Sequence, residues 1–300
     1  MFDIISTSYR LDVVLLKSLM VYENNSDYLK YVDGVIMPLI GYSVSYLNKY
    51  TIEEIRNFVS NNKEKEVFVV INRNLFNKDI LELEEILKKL DDIGVTGIFY
   101  YDISVLSIYR KHKFNFGLIW NQTHMVTNFN TINYYLEKGV KGAVLANEIT
   151  LEEMLEIRKN TNASLFVNVV FCPIMSFSRR KLLSNYCKST NVDIKGNKLY
   201  VKESSSGYKC IVLEEEDGTS VFSEKIVNNL DIVDNYSDNK FDYIIVDTSF
   251  LYNDIKESCL YALYCILTGV DDKKVLIKNM KELIGGNTGF LYRKTIYKVK

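Results

Sequence analysis

The chain is short of most of the residues that advertise chemistry. It has two histidines, His112 and His124, so a catalytic triad or a histidine-rich metal site has little to draw on. It has five cysteines and no CxxC pair, which argues against zinc ribbons and a disulfide framework and fits reduced thiols in the cytoplasm. Neither HExxH nor GxGxxG occurs, so zincin and dinucleotide-binding readings lose their usual signatures. Charge of one sign is also missing: 37 basic residues stand against 38 acidic ones, and any contact with nucleic acid must be a local patch. No run approaches the ~18 apolar residues a membrane span needs, and MFDIISTSYRLDVVLL lacks the pattern of a signal peptide.

What is abundant is buried-strand sequence. FDIIST, DGVIMPLI, EVFVVIN, GIFYYD, FGLIWNQ, GAVLAN and SLFVNVV are short apolar runs of the kind that suit strands covered on both faces. Helical segments separate them. In TIEEIRNFVSNNK, Thr51 precedes Glu54 by three residues, a capping box, and Thr150 and Glu153 repeat the device. DILELEEILKKLDDIG has helical spacing and stops at Gly94. This alternation predicts an α/β fold, either a closed (β/α)8 TIM-like barrel or an open doubly wound sheet, and the missing GxGxxG favours the barrel. The rhythm breaks after about residue 187. NKLYVKES, YKCIVLEEE and TSVFSE read as short strands, with Glu216-Asp217-Gly218-Thr219 as a hairpin turn. Residues 1–187 and 229–300 are therefore assigned to the barrel and 188–228 to a β-rich insertion, with FDYIIVDTSF and NDIKESCLYALYCILTG resuming the barrel.

In a barrel, functional groups gather where strands end. That rule nominates Asn72 and Arg73, Tyr101 and Asp102, Asn121 to His124 with Gln122 among them, Asn147 and Glu148, Cys172 and Pro173, and Asp247. Polar residues at strand ends are also what any loop offers, so the case rests on the set and not on one member. Cys259 and Cys265 read as core packing. Cys172 and Cys187 flank Arg179-Arg180-Lys181, where a thiolate would be activated by the cations, yet no histidine pairs with them, and buried free thiols are the simpler reading. The basic run itself offers a grip for a carboxylate or phosphate, or is a solvated turn. GGNTG, residues 285–289, lacks the lysine and serine of a Walker loop.

The order of these motifs resembles the peptidase U32 family, also called collagenase-like. The likeness runs through DGVIMPLIGYSV, EVFVVIN and LDDIGVTGIFYYD, then IWNQTHMVTNFNTINYYLEKGVKGAVLANEITLEEMLEI. In the last block Gln122, Asn128, Glu148 and Glu152 occupy the family's patterned positions. SFSRRKLLSNY falls where members carry Ser-Gly-Arg-Cys-Leu-Leu-Ser-Asn-Tyr, and VKES, with Lys202, and EEEDGTSVFS follow further family elements.

The resemblance implies hydroxylation of RNA bases, in one branch the wobble uridine of tRNA with prephenate as a precursor. It implies tRNA as partner, a longer U32-family paralogue beside this chain, and a prephenate-derived group among the small molecules involved. Several relatives hold an iron–sulfur cluster through four cysteines. Here Lys181 and Ile174 stand where two of those ligands belong, so no cluster is expected. The resulting expectation is a bacterial, cytoplasmic tRNA-modification protein, with Asp102, Gln122, Glu148 and Asp247 as candidate catalytic groups. Asn72, Asn128, Arg179, Arg180 and Lys202 are the candidate substrate-binding residues. A U32-type peptidase of unassigned mechanism and a non-catalytic binding subunit stand as alternatives.

Overall fold

A computed structural model describes residues 13–16, 29–192, 198–202, 204, 207–230, 232–233, 241–268 and 272–293. The strand expected at FDIIST and the tail beyond Arg293 lie outside these residues.

The strand–helix alternation is realised directly. Strands β2 (Gly34–Pro38), β3 (Glu66–Ile71), β4 (Gly97–Tyr100), β5 (Gly117–Trp120), β6 (Gly142–Val144) and β7 (Ser164–Phe171) pair in parallel in that order. The ring continues from β7 to β13 (Tyr243–Asp247), also parallel, and closes through β1 (Val13–Leu16). The result is a closed eight-stranded α/β barrel. Its β1 runs antiparallel to both β13 and β2, where eight parallel strands were expected. A two-residue strand, β12 (Val227–Asn228), hangs on β7.

Helices cover the ring: α1 (Ile52–Asn61), α2 (Ile80–Ile93), α3 (Ile103–His112), α4 (Phe129–Glu137), α5 (Leu151–Lys159), α7 (Asn253–Thr268) and α8 (Lys273–Ile284). Both expected capping boxes form, with Thr51 and Thr150 each accepting from the backbone N–H three residues on. Gly94 ends α2 in the left-handed region at φ 83°, where a side chain would be strained.

The barrel interior is packed with rings. Phe68, Phe99, Phe166 and Tyr243 lie in mutual contact, with centroids 4.2–5.8 Å apart. Glycine on the adjacent strand makes the room: a Cβ at Gly97 would stand 2.9 Å from the Phe68 ring. Burial and the neighbouring Glu66 carboxylate both hold the Tyr243 phenol well above its ordinary pKa.

A second, four-stranded antiparallel sheet runs β8-β11-β10-β9: β8 (Ile174–Ser178), β9 (Lys198–Lys202), β10 (Lys209–Glu215) and β11 (Gly218–Ser223). Helix α6 (Leu182–Thr190) lies between β8 and β9. The sheet therefore begins at Ile174, and residue 188, taken as the insertion's start, falls inside α6. Glu216 and Asp217 form the two-residue hairpin loop, as their turn chemistry predicts.

Candidate functional site

A cavity of about 530 Å³ opens at the C-terminal ends of the barrel strands. That size accommodates one ring-sized molecule. Its floor is apolar, with Ile36, Phe99, Val144 and Ile245 rising from the packed barrel interior. Its walls carry the polar groups that follow each strand. The second sheet closes one side with Phe222, Ser223, Tyr208 and the start of β8.

Asp247 ends β13 and lies in the wall. Its Oδ1 accepts from the Ser249 N–H at 2.9 Å and from the Ser249 hydroxyl. Burial raises its pKa; the Ser249 donors and the Lys256 ammonium oppose that, and the balance is about 6. A carboxyl group at that value changes protonation state near neutrality, which suits it to pass a proton. Tyr46 faces the same wall, and burial, then the Asp247 charge, keep its phenol protonated.

His124 and Glu148 pair at the rim, Nδ1 to Oε1, at 3.1 Å, and both are exposed. Asn168 donates to Asn147 Oδ1 at 2.8 Å, so two amides are held side by side in the wall. Lys225 and Arg293 complete the lining, and neither has a carboxylate within salt-bridge distance among the described residues. The cavity therefore combines an apolar floor, a titratable acid and two uncommitted cations.

Of the candidate catalytic and substrate-binding residues, Asn72, Glu148 and Asp247 line this cavity, and the strand-end residues Asn121, Thr123, His124, Asn147, Cys172 and Pro173 join them. Asn72 serves the scaffold as well: its side chain accepts from Val44 N–H at 2.8 Å and donates to Val44 C=O at 3.1 Å. This holds the loop that carries Ser45 and Tyr46. The other six candidates, Asp102, Asn128, Gln122, Lys202, Arg179 and Arg180, are not among the lining residues. Asp102 caps α3, accepting from Ser104 and also from the Leu75 N–H. Asn128 caps α4 through Thr131. Gln122 donates to Tyr101 C=O at 2.6 Å. Lys202 is exposed at the end of β9.

Arg179 and Arg180 are exposed beyond β8, and the Arg179 guanidinium stacks 4.3 Å above the Phe76 ring. The residues missed by sequence reasoning are Ser45, Tyr46, Asn168, Lys225 and Arg293. Asn168 carried a signal, a lone polar residue in the apolar run SLFVNVV; the others are distant in sequence and meet only when the ring closes.

GGNTG is strung along β12: Asn287 N–H donates to Ile226 C=O at 3.1 Å, and Asn287 C=O accepts from Asn228 at 2.7 Å. Gly286, at φ 86°, would drive a Cβ to within 2.2 Å of that Ile226 oxygen. The glycines thus meet a backbone requirement, and Asn287 and Gly289 reach the cavity lining.

The sequence model of peptidase family U32 matches residues 32–259, a span holding Tyr46, His124, Glu148 and Asp247. The chain belongs to peptidase family U32. Among curated relatives, tRNA hydroxylation protein P2 of Bacillus subtilis (strain 168) is 26% identical over 214 residues, covering 69% of this chain and 69% of that protein. tRNA hydroxylation protein P1 of the same organism is 27% identical over 146 residues, covering 47% of this chain and 34% of that protein. tRNA hydroxylation protein P of Escherichia coli (strain K12) is 26% identical over 125 residues, covering 41% of this chain and 27% of its own length. This U32 chain thus aligns with well under half of the last two. Among solved structures, 2,3-dimethylmalate lyase has a TM-score of 0.35 at 11% identity, covering 46% of this chain and 60% of that one, a likeness too slight to bear on function.

An iron–sulfur cluster needs several thiolates converging on one point. Here Cys172 is buried and donates to Ser223 C=O at 2.9 Å, and Cys187 and Cys210 sit half-buried on α6 and β10. Cys259 and Cys265 are buried on α7, and burial pushes the Cys259 thiol up to about 12. Among the described residues, no group of three or more His, Cys, Asp or Glu is placed to hold a metal. These residues do not fit a cluster.

Proposed function

We propose that this chain takes part in tRNA hydroxylation at the wobble uridine, alone or beside a longer family member. One observation carries the reading. Apart from Arg293, the cavity's titratable groups fall within residues 32–259, the stretch that defines the family, and the curated relatives of that stretch are named for tRNA hydroxylation. The cavity chemistry agrees with it. The space suits a single base or a small carboxylate of the prephenate type, and Lys225 and Arg293 favour an anionic group at the rim. Asp247 is the group suited to hold or release a proton there. The chain acts without a cluster of its own, in keeping with Lys181 and Ile174 at the substituted positions. A partner role is suggested by the two tRNA hydroxylation proteins, P1 and P2, of a single bacterium. The place of action under this reading is the cytoplasm, and no helix among the described residues is long and apolar enough to cross a membrane.

A peptidase reading has less to stand on. His112 and His124 each face a glutamate, and the Cys172 thiol faces a carbonyl, so no nucleophile–base pair is assembled among the described residues.

Mass spectrometry of nucleosides from total tRNA tests the proposal, comparing the parent strain with strains lacking this gene, its longer homologue, or both. Loss of 5-hydroxyuridine-type nucleosides in the single or double deletion is the expected result. Unchanged nucleosides in every strain would overturn the reading.

A further inference from the structure

The chain carries 38 acidic residues, yet none lies between Ile157 and Val192. That stretch ends in β8 and α6, an edge strand and a helix on the outside of the second sheet. Arg179, Arg180, Lys181 and Lys188 are all exposed there, and none has a carboxylate partner among the described residues. Among the described residues, three acids of the same sheet are already committed. Glu214 accepts from the Leu183 and Ser184 N–H groups, from the Ser184 hydroxyl and from Thr219, so it fills the start of α6. Glu215 and Asp217 are engaged by Lys49, and Asp217 also by Arg73.

Helix α6 buries none of its residues. Leu182 and Tyr186, one turn apart, are 42% and 49% exposed beside the cations. The patch is continuous with the cavity. Ile174 and Met175 line the cavity mouth, and Arg179 directly follows the end of that strand, four residues past Met175 and at most about 13 Å away at ~3.3 Å per residue.

We propose that this β8–α6 edge is the surface on which the phosphate backbone of tRNA docks, with the target nucleotide directed to the adjacent cavity. The proposal rests on the tRNA reading above. Charge complementarity selects the occupant: a row of unpaired cations with apolar and aromatic side chains interleaved suits a strand of phosphates with bases beside it. The near-neutral charge of the whole chain requires any such binding to use a local patch, and this edge is one.

The test is salt-dependent binding of an unmodified tRNA transcript with uridine at the wobble position to the full chain. The R179A/R180A/K188A variant is expected to bind about tenfold or more weakly near 0.1 M salt, with a salt slope reduced by about two to three. The charge-keeping R179K/R180K variant should stay near wild type, and thermal unfolding of both should shift only slightly because the side chains are exposed. Equal binding by the triple variant, or no transcript binding by the wild-type chain, would overturn the docking surface. So would a triple variant that keeps transcript binding and loses co-purification with the longer homologue, which would assign the edge to a protein partner. Returning the triple variant to the deletion strain separates the two levels. Full restoration of hydroxylated uridine rejects the surface alone, whereas a deletion strain whose nucleosides never changed rejects the tRNA reading itself.

Discussion

The barrel buries its strands in one apolar cluster that runs from Val32 to Leu291, whereas among the described residues the second sheet has a small buried cluster of Cys172, Ile211, Leu213 and Phe222. The sheet is tied down by polar groups instead. Ser45 meets Ser220 at 3.0 Å, Lys49 pairs with Glu215 at 2.7 Å, and Arg73 reaches both Asp79 and Asp217. These contacts all engage the loops after β2 and β3. The difference teaches a division of labour. The barrel fixes the cavity floor and Asp247 by bulk packing, while the wall supplied by the sheet and the basic edge depend on a few directional contacts.

The comparison breaks most severely in the barrel. Phe166→Ala removes a ring packed against Phe68, Phe99 and Tyr243 and should cost about 3–5 kcal/mol. Urea unfolding of the whole chain reads it, and a loss below about 1 kcal/mol would contradict an interior filled by these rings.

Glu214→Ala strips the start of α6 of its acceptor and should cost about 2 kcal/mol, confined to the sheet. Amide exchange should accelerate across Leu182–Thr190 while barrel amides stay protected; acceleration in both regions would mean that the two are one cooperative unit. Burial raises the Glu214 pKa, but donors from Ser184, Leu183 and Thr219 outweigh it, and the net shift is downward. The support this carboxylate gives is therefore present above its unfolded pKa and lost as pH falls through the depressed folded value, so α6 should loosen first in acid.

Asp247 behaves in the opposite sense. Its folded pKa of about 6 exceeds the ordinary 3.8, so the folded state holds the extra proton between those values. Wild-type stability should decline as pH rises from about 4 to 6, and Asp247→Asn should flatten that decline. An unchanged pH profile in the variant would place the titration elsewhere. The smallest effect belongs to Arg179→Ala, which gives up an exposed stacking contact with Phe76 worth about 0.5 kcal/mol. A fall in thermal midpoint as large as that of Glu214→Ala would show that the basic edge is structural.

Much of the barrel was legible because its signals are local. Thr51 with Glu54, Thr150 with Glu153, Gly94 and the apolar runs each specify one element without outside help. The same locality left helix caps unread. Asp102 with Ser104, and Asn128 with Thr131, carry the spacing of helix caps, but the strand-end rule drew attention to Asp102, and the family likeness to Asn128, as candidate site residues. β8 escaped because IMSFS is an exposed edge with no periodic apolar face. Tyr46, Lys225 and Arg293 belong to the cavity only through ring closure, a long-range event that no window of sequence contains.

The most direct test of the account returns wild-type and Asp247→Asn chains, at equal protein levels, to the strain lacking this gene and its longer homologue, together with that homologue. Nucleosides from total tRNA are then measured by mass spectrometry. The account predicts that 5-hydroxyuridine-type nucleosides return with the wild-type chain beyond the level the homologue gives alone, and do not with Asp247→Asn. Equal recovery with both chains would contradict a working role for the cavity at the barrel mouth.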